Sequence, residues 1–203
     1  MKSVFKFRIE LEGSEPKIWR EFLVPSDISF YRLHHIVQIV MGWENYHLYD
    51  FTIDSYRIGQ QLEDEGFNGP NEIIDSKRIK IGDVLKSKGQ KLLYLYDFGD
   101  NWEHFLTLEM IIEDLTIPFP VCCAGDLGCP PEDVGGLSGF NVFLKIMDRP
   151  KHPEHKEYKK WLRSKLVTMD GGYNPQKFHI ENVNRVLLQL DVYIKEWEDQ
   201  SDQ

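Results

Sequence analysis

Residues 4–11, VFKFRIEL, alternate strictly, with Phe5, Phe7, Ile9 and Leu11 on one face and Lys6, Arg8 and Glu10 on the other. A period of two is that of a half-buried strand. KIWREFLVP (17–25) is bracketed by Pro16 and Pro25 and reads as a second strand, paired with the first as a hairpin. The period then changes. In SFYRLHHIVQIVMGW, Phe30, Leu33, Ile36, Val37, Val40 and Met41 recur at helical spacing, Ser29 stands where an N-cap belongs and Gly42 where the helix ends. HLYDFTID (47–54) returns to strand, with His47, Tyr49, Phe51 and Ile53 on one face. Residues 60–78 are polar and rich in turn formers, which predicts a long loop, and 81–89 a short helix. KLLYLYD and WEHFLTLEMII form a second hairpin closed by FGDN. A Pro- and Gly-rich loop is expected from Pro118 to Gly136, followed by helices over 138–148, 153–166 and 179–198. The last carries Val183, Val186, Leu187, Leu190, Ile194 and Trp197 on one face.

Strands come first and helices last, which is the order of an α+β fold: antiparallel hairpins, one early helix packed on them, and a helical C-terminal third. The chain reads as a single domain over 1–203, strand-rich over 1–117 and loop and helical over 118–203. Its net charge of −9, with no basic stripe, argues against non-specific duplex binding and favours a protein, peptide or cationic ligand. The three cysteines crowd between positions 122 and 129, too few and too close for a disulfide framework, so free thiols are expected. The start, MKSVFKFRIELEG, alternates and is charged, unlike a signal or transit peptide. No apolar run approaches the roughly 20 residues that span a bilayer, so a cytoplasmic, membrane-free protein is expected.

Chemistry concentrates in few places. Pairing across FGDN sets Tyr96 opposite Trp102 and Tyr94 opposite His104, with Asp97 and Asp100 projecting at the hairpin end. The two aspartates either cap a turn or form one wall of a site, and His104 is either a core histidine or part of that site. In CCAGDLGCPPEDVGG (122–136), Pro130 and Pro131 stiffen the backbone before Glu132 and Asp133, and Gly135 and Gly136 allow a sharp turn after them. A stiff acidic pair suits metal, cation or general-base chemistry, or simply caps a short helix. Cys122 or Cys123, Cys129, His152 and His155 form a weaker zinc candidate, since H-x₂-H is shorter than the usual spacing. At about 100° per residue, His34 falls on the edge of the apolar stripe and reaches the interior, whereas His35 falls nearly opposite and should be solvated. His47 can also point inward. No GxxxxGK[ST], strand-led GxGxxG, HExxH, GxSxG or CxxC occurs.

YDFGDNWEH, CCAGDLGCPPEDVGG and GFNVFLKIMDRPKHPEH, with GWENYHLYDF earlier in the chain, together resemble the Ri-plasmid (pRiA-type) ORF-three-like family. Its members are also known as TnpR passenger proteins of insertion elements. The resemblance puts weight on Asp97, Gly99, Asp100, Trp102 and His104, on Pro130, Pro131, Glu132, Asp133 and Gly135, and on His152, Pro153 and His155. The TnpR label implies recombination, but no serine-recombinase pattern is present. The hairpin end and the PPEDVGG loop are therefore expected to meet in an acidic pocket backed by Tyr96, Trp102, His47 and His34. Two function classes follow. One is a binding or accessory module of mobile elements that recognises a cationic or peptide partner. The other is a metal-assisted hydrolase using Asp97, Asp100, His104, Glu132 and Asp133, with a divalent metal as its cofactor.

Overall fold

The computed structural model describes residues 3–60, 73–165 and 173–201. In chain order these form β1 (Ser3–Leu11), β2 (Trp19–Pro25), α1 (Phe30–Met41), β3 (Tyr49–Ile53), β4 (Tyr56–Gly59), β5 (Ile73–Asp75), α2 (Ile81–Val84), β6 (Lys91–Tyr96) and β7 (Trp102–Glu113). There follow β8 (Val121–Asp126), α3 (Gly136–Met147), α4 (His155–Lys165), α5 (Ile180–Leu187) and α6 (Leu190–Ser201). One eight-stranded sheet runs β5-β4-β3-β6-β7-β1-β2-β8. Every pairing is antiparallel except the short β4–β5 edge. The fold is α+β, with the helices gathered in the C-terminal part.

The alternation of β1 is used as an antiparallel sheet with one wet face uses it. Phe5, Phe7, Ile9 and Leu11 enter the core beside Phe22, Leu106 and Leu108. On the other face Lys6 pairs with Glu21 and Glu109, and Arg8 pairs with Glu10 and Glu21 while lying over the Trp19 ring. The β1–β2 and β6–β7 hairpins stand where the pattern predicts them, and Tyr96 faces Trp102 and Tyr94 faces His104 in register.

Helix α1 begins and ends at the expected residues. The Ser29 side chain accepts from the Arg32 N–H, and Gly42 takes the left-handed conformation with φ 95°. The C-terminal carbonyl of Val40 accepts from Nε of Arg20, a residue only 1% exposed. Its remaining nitrogens donate to the carbonyls of Trp19, Asp126 and Leu127, and its plane covers Phe178 at 3.8 Å. A buried cation is thus held by carbonyl dipoles, one of them at a helix C-terminus.

Four expectations need correction. His35 is buried, not solvated, because α5 and α6 cover the outer side of α1 and enclose its ring between Tyr31, Tyr193 and Trp197. The stretch 118–136 is not a continuous loop: Val121–Asp126 forms the edge strand β8 against β2. Its outer edge is closed by Asn184 of α5, whose side-chain oxygen accepts from the Cys122 N–H and whose amide donates to the Cys122 carbonyl. That contact occupies an edge otherwise open to strand pairing. The helix expected over 179–198 is two helices, broken where Gln189 N–H bonds back to the Val186 carbonyl and tightens the turn. Finally, the loop expected over 60–78 contains β5 at its end; its residues 61–72 lie outside the described residues.

Candidate functional site

The hairpin end is fixed by its own backbone. Asp97 and Asn101 adopt positive φ, 54° and 57°, and Asn101 N–H bonds to the Asp97 carbonyl at 2.7 Å. Asp97 Oδ1 accepts from Gly99 N–H at 2.9 Å, the side-chain turn that an aspartate before glycine favours. Its other oxygen, Oδ2, points away, to 3.6 Å from His47 Nε2. Asp97 thus caps the turn with one oxygen and turns the other toward His47.

The PPED loop meets this hairpin end directly. Asp100 Oδ2 accepts from Gly135 N–H at 3.0 Å. Gly136 has φ 65°, and a Cβ there would lie 2.5 Å from the Asp100 carbonyl oxygen, so only glycine permits this approach. Pro130, Pro131 and Glu132 are buried while Asp133, at φ 55°, turns outward. Glu132 Oε1 accepts from the Glu44 N–H at 2.7 Å and from the Tyr96 hydroxyl at 2.9 Å. The same phenol accepts from Tyr46 N–H at 3.0 Å, so the segment after α1 is tied to the hairpin through Tyr96.

His47 is the hub. Its Nε2 lies 2.9 Å from Asp133 Oδ1, 3.6 Å from Asp97 Oδ2 and 3.9 Å from Glu132 Oε2. Ligand-capable atoms of His47, Asp97 and Asp133 all lie within 4.8 Å of one another, and no other such group of three occurs among the described residues. Glu132 is 4% exposed and its Oε2 has no hydrogen-bond partner. Burial raises its pKa, opposed by the Glu44 N–H, the Tyr96 hydroxyl and His47; repulsion from Asp133 adds least. Desolvation, rather than like charge, is thus the main cause of the upward shift. Burial, reinforced by Glu132, also raises the Tyr96 phenol and keeps it a donor.

Trp102 and Trp43 are buried next to this cluster, with ring centroids 5.2 Å apart and Trp43 also 5.5 Å from Tyr96. The other candidates lie elsewhere. His104 is fully buried beside Tyr94 and Trp43 and holds the Trp102 carbonyl through Nδ1, with no contact to the carboxylates. His34 bonds to the Tyr94 hydroxyl and to Asn45 Oδ1 and stacks flat on Tyr49 at 3.4 Å. It belongs to the core network. Asp100 locks two loops together instead of lining the cluster. The cysteines are free thiols, Cys122 and Cys129 buried and Cys123 exposed. Cys122, Cys129, His152 and His155 do not come together: His152 Nδ1 accepts from Glu154 N–H at the start of α4, and His155 holds the Ile146 carbonyl. Pattern reasoning missed Trp43, whose signal was an aromatic directly after the helix-ending glycine, and Glu44, which takes part only through its backbone N–H.

Among the described residues no helix is long and apolar enough to cross a membrane. A curated relative, the uncharacterized protein y4hQ of Sinorhizobium fredii (strain NBRC 101917 / NGR234), is 36% identical over 163 residues, covering 80% of this chain and 82% of that protein. The crystal structure of protein of unknown function MM3350 from Methanosarcina mazei Go1 superimposes with a TM-score of 0.74 at 30% identity, over 90% of this chain and 98% of that one. The sequence model of the plasmid pRiA4b ORF-3-like proteins matches residues 3–182. With strands, register and hairpin-to-loop contact all as described, the chain belongs to the plasmid pRiA4b ORF-3-like protein family.

Proposed function

We propose that the protein is a binding module whose acidic cluster, where the hairpin end meets the PPED loop, takes a cationic ligand. The observation that carries this reading is Glu132 Oε2, buried without a hydrogen-bond partner and turned toward His47 beside Asp97 and Asp133. A buried carboxylate oxygen with no donor costs stability, and a cation at that point offsets the cost. Membership in a family named from a plasmid reading frame supports an accessory role. Metal-assisted hydrolysis is the second reading. Its donors would be His47, Asp97 and Asp133, since Asp100 is bonded to Gly135 and His104 is enclosed by aromatics.

Amide chemical-shift mapping against divalent ions, alkylammonium, guanidinium and lysine- or arginine-containing peptides tests the reading. Perturbations are expected at residues 43–47, 97–101 and 132–136, and their absence there for every cation would overturn it. Glu132→Gln is the companion variant. Gln keeps the oxygen that accepts from Glu44 and Tyr96 and removes the buried charge. Its melts should show a gain of about 0.5–2 kcal/mol, the range for relieving a functional strain, together with loss of the perturbations. A separate expectation concerns nucleic acid: with a net charge of −9, random duplex DNA should not bind at physiological salt. Steeply salt-dependent, sub-micromolar binding in fluorescence anisotropy would contradict it.

A further inference from the structure

We propose that α6 is a pH-sensitive latch: protonation of His35 releases it from α1, and the release loosens the Trp43–His47 segment. The latch is a property of the fold and does not rest on the cationic-ligand reading. Helix α5 is anchored independently, by the Asn184 clamp on Cys122 and by the buried Leu187. Only Leu188 and Gln189, both exposed, separate it from α6. A rotation at that joint lifts α6 while α5 stays on β8. What α6 would give up is modest. Leu190 and Ile194 are buried, and the Tyr31 hydroxyl donates to Glu198 at 2.9 Å. Arg32 pairs with Asp191 at 2.6 Å and Lys77 with Glu198 at 3.3 Å, but these side chains are exposed to water, where such pairs weigh little. Elements held this way open locally, below the cost of global unfolding.

The trigger sits where the two helices meet. The His35 ring is edge-on to Tyr31 at 4.6 Å, His34 at 5.1 Å, Trp197 at 5.2 Å and Tyr193 at 6.0 Å, and the last two belong to α6. Neither of its nitrogens has a hydrogen-bond partner. A neutral imidazole fits this cage as an aromatic ring, whereas a protonated one brings a charge and two donors with no acceptor. Among the charged groups that face it, Arg32 of α1 and Lys77, just after β5, oppose the proton, and Glu198 of α6 favours it. Glu198 is already engaged by Tyr31 and Lys77. Burial outweighs them all and lowers the His35 pKa from 6.5 to about 4. With α6 lifted, the ring regains water and its ordinary pKa. Docking is therefore fully favoured above about pH 6.5 and is weakened progressively as pH falls toward 4. His104 is also buried and neutral, but its aromatic neighbours are Trp43 and Tyr94, so its protonation does not act on α6.

Trp197 carries the release inward. Its Nε1 donates to the Asn45 carbonyl at 3.0 Å. Asn45 stands in the left-handed region, at φ 62°, and its side-chain oxygen accepts from His34 Nε2 at 2.6 Å. The turn is thus held from α1 on one side and from α6 on the other. Its neighbours make the contacts already described: Glu44 N–H donates to Glu132, and Tyr46 N–H donates to the Tyr96 hydroxyl. A residue in this backbone conformation persists because its surroundings hold it. Removing the Trp197 bond takes away one of two supports, and the Glu44 and Tyr46 amides loosen with it.

Amide hydrogen exchange of the full chain at pH 7 and pH 5, corrected for the intrinsic pH dependence of exchange, tests the latch. Protection in α6 should fall about twentyfold between the two, the effect of one histidine whose pKa moves between 6.5 and about 4. The Glu44 and Tyr46 amides should lose protection in step, while β1 and β7 stay at least tenfold more protected than α6 at both pH values. His35→Phe keeps an aromatic ring and removes the proton site, so the pH dependence should vanish from α6 and from residues 44 and 46. Trp197→Phe removes only the donor to Asn45: α6 should keep its pH dependence, and the Glu44 and Tyr46 amides should already be less protected at pH 7. The wild-type profile decides alone if either variant fails to fold. Protection in α6 equal to that of β1 and β7, or unchanged from pH 7 to 5, overturns the latch. So does pH dependence that survives in folded His35→Phe, or protection at residues 44 and 46 that ignores both α6 and Trp197→Phe.

Discussion

Acidification from pH 7 to 5 should remove about 4 kcal/mol of stability through His35 and His104 alone. Both rings are fully buried, and burial lowers each pKa from 6.5 to about 4. Glu198 partly opposes the shift at His35, while Arg32 and Lys77 add to it. Neither nitrogen of His35 has a hydrogen-bond partner, and His104 lacks one at Nε2. The unfolded chain therefore takes up protons first as pH falls below about 6.5. The stabilisation is complete above that pH and is lost progressively down to about 4. At about 1.4 kcal/mol per pKa unit, each histidine contributes roughly 3 kcal/mol over the whole window. His34, also lowered by burial, adds in the same direction. Against a total stability of about 5–15 kcal/mol, this brings the domain close to unfolding near pH 4.5. Glu132, with its raised pKa, acts oppositely: its burial cost fades as it is protonated. Urea midpoints at half-unit pH steps measure the slope. Replacing His35 with Phe should flatten part of it, and a midpoint constant from pH 7 to 5 would show that these rings are not buried neutral.

Trp102→Ala should cost about 3–5 kcal/mol, the range for removing a large buried aromatic. The ring is 1% exposed, opposite Tyr96 across the hairpin and packed on Trp43. Trp43 immediately precedes Glu44, whose N–H holds Glu132, so the cavity lies directly behind the candidate site. Asp133→Asn changes a side chain that is 41% exposed and should stay within about 0.5 kcal/mol of wild type. Urea melts that give equal, large losses for both would make the PPED loop a structural element.

The hairpin end could be read from residues because two short-range rules agree there. Alternation sets the face and the tight FGDN turn sets the register, which together place Tyr96 against Trp102. Convergence of that turn with the PPED loop was legible only as paired glycine and acidic signals. What brings them together is Gly136 passing against the Asp100 carbonyl. His35 was misread because a helix with one apolar stripe gives no sign of a second layer; α5 and α6 supply it from more than 140 residues later in the chain. VCCAGD lacks the alternation of a strand, and its pairing depends on β2 and on Asn184 clamping its outer edge. A backbone donor such as Glu44 N–H has no side-chain signature at all. His47 was legible as inward-facing, but its role as hub depends on three carboxylates drawn from two distant segments.

On the proposed reading Glu132 is held at a cost which a cation offsets. Thermal melts of wild type and Glu132→Gln, each with and without a saturating cation that perturbs residues 43–47, 97–101 and 132–136, measure this directly. Without the ion the variant should melt higher, because it lacks the buried charge; with the ion the order should reverse, because only wild type gains binding energy. A variant that melts lower than wild type without the ion, or two proteins raised equally by it, would contradict the account.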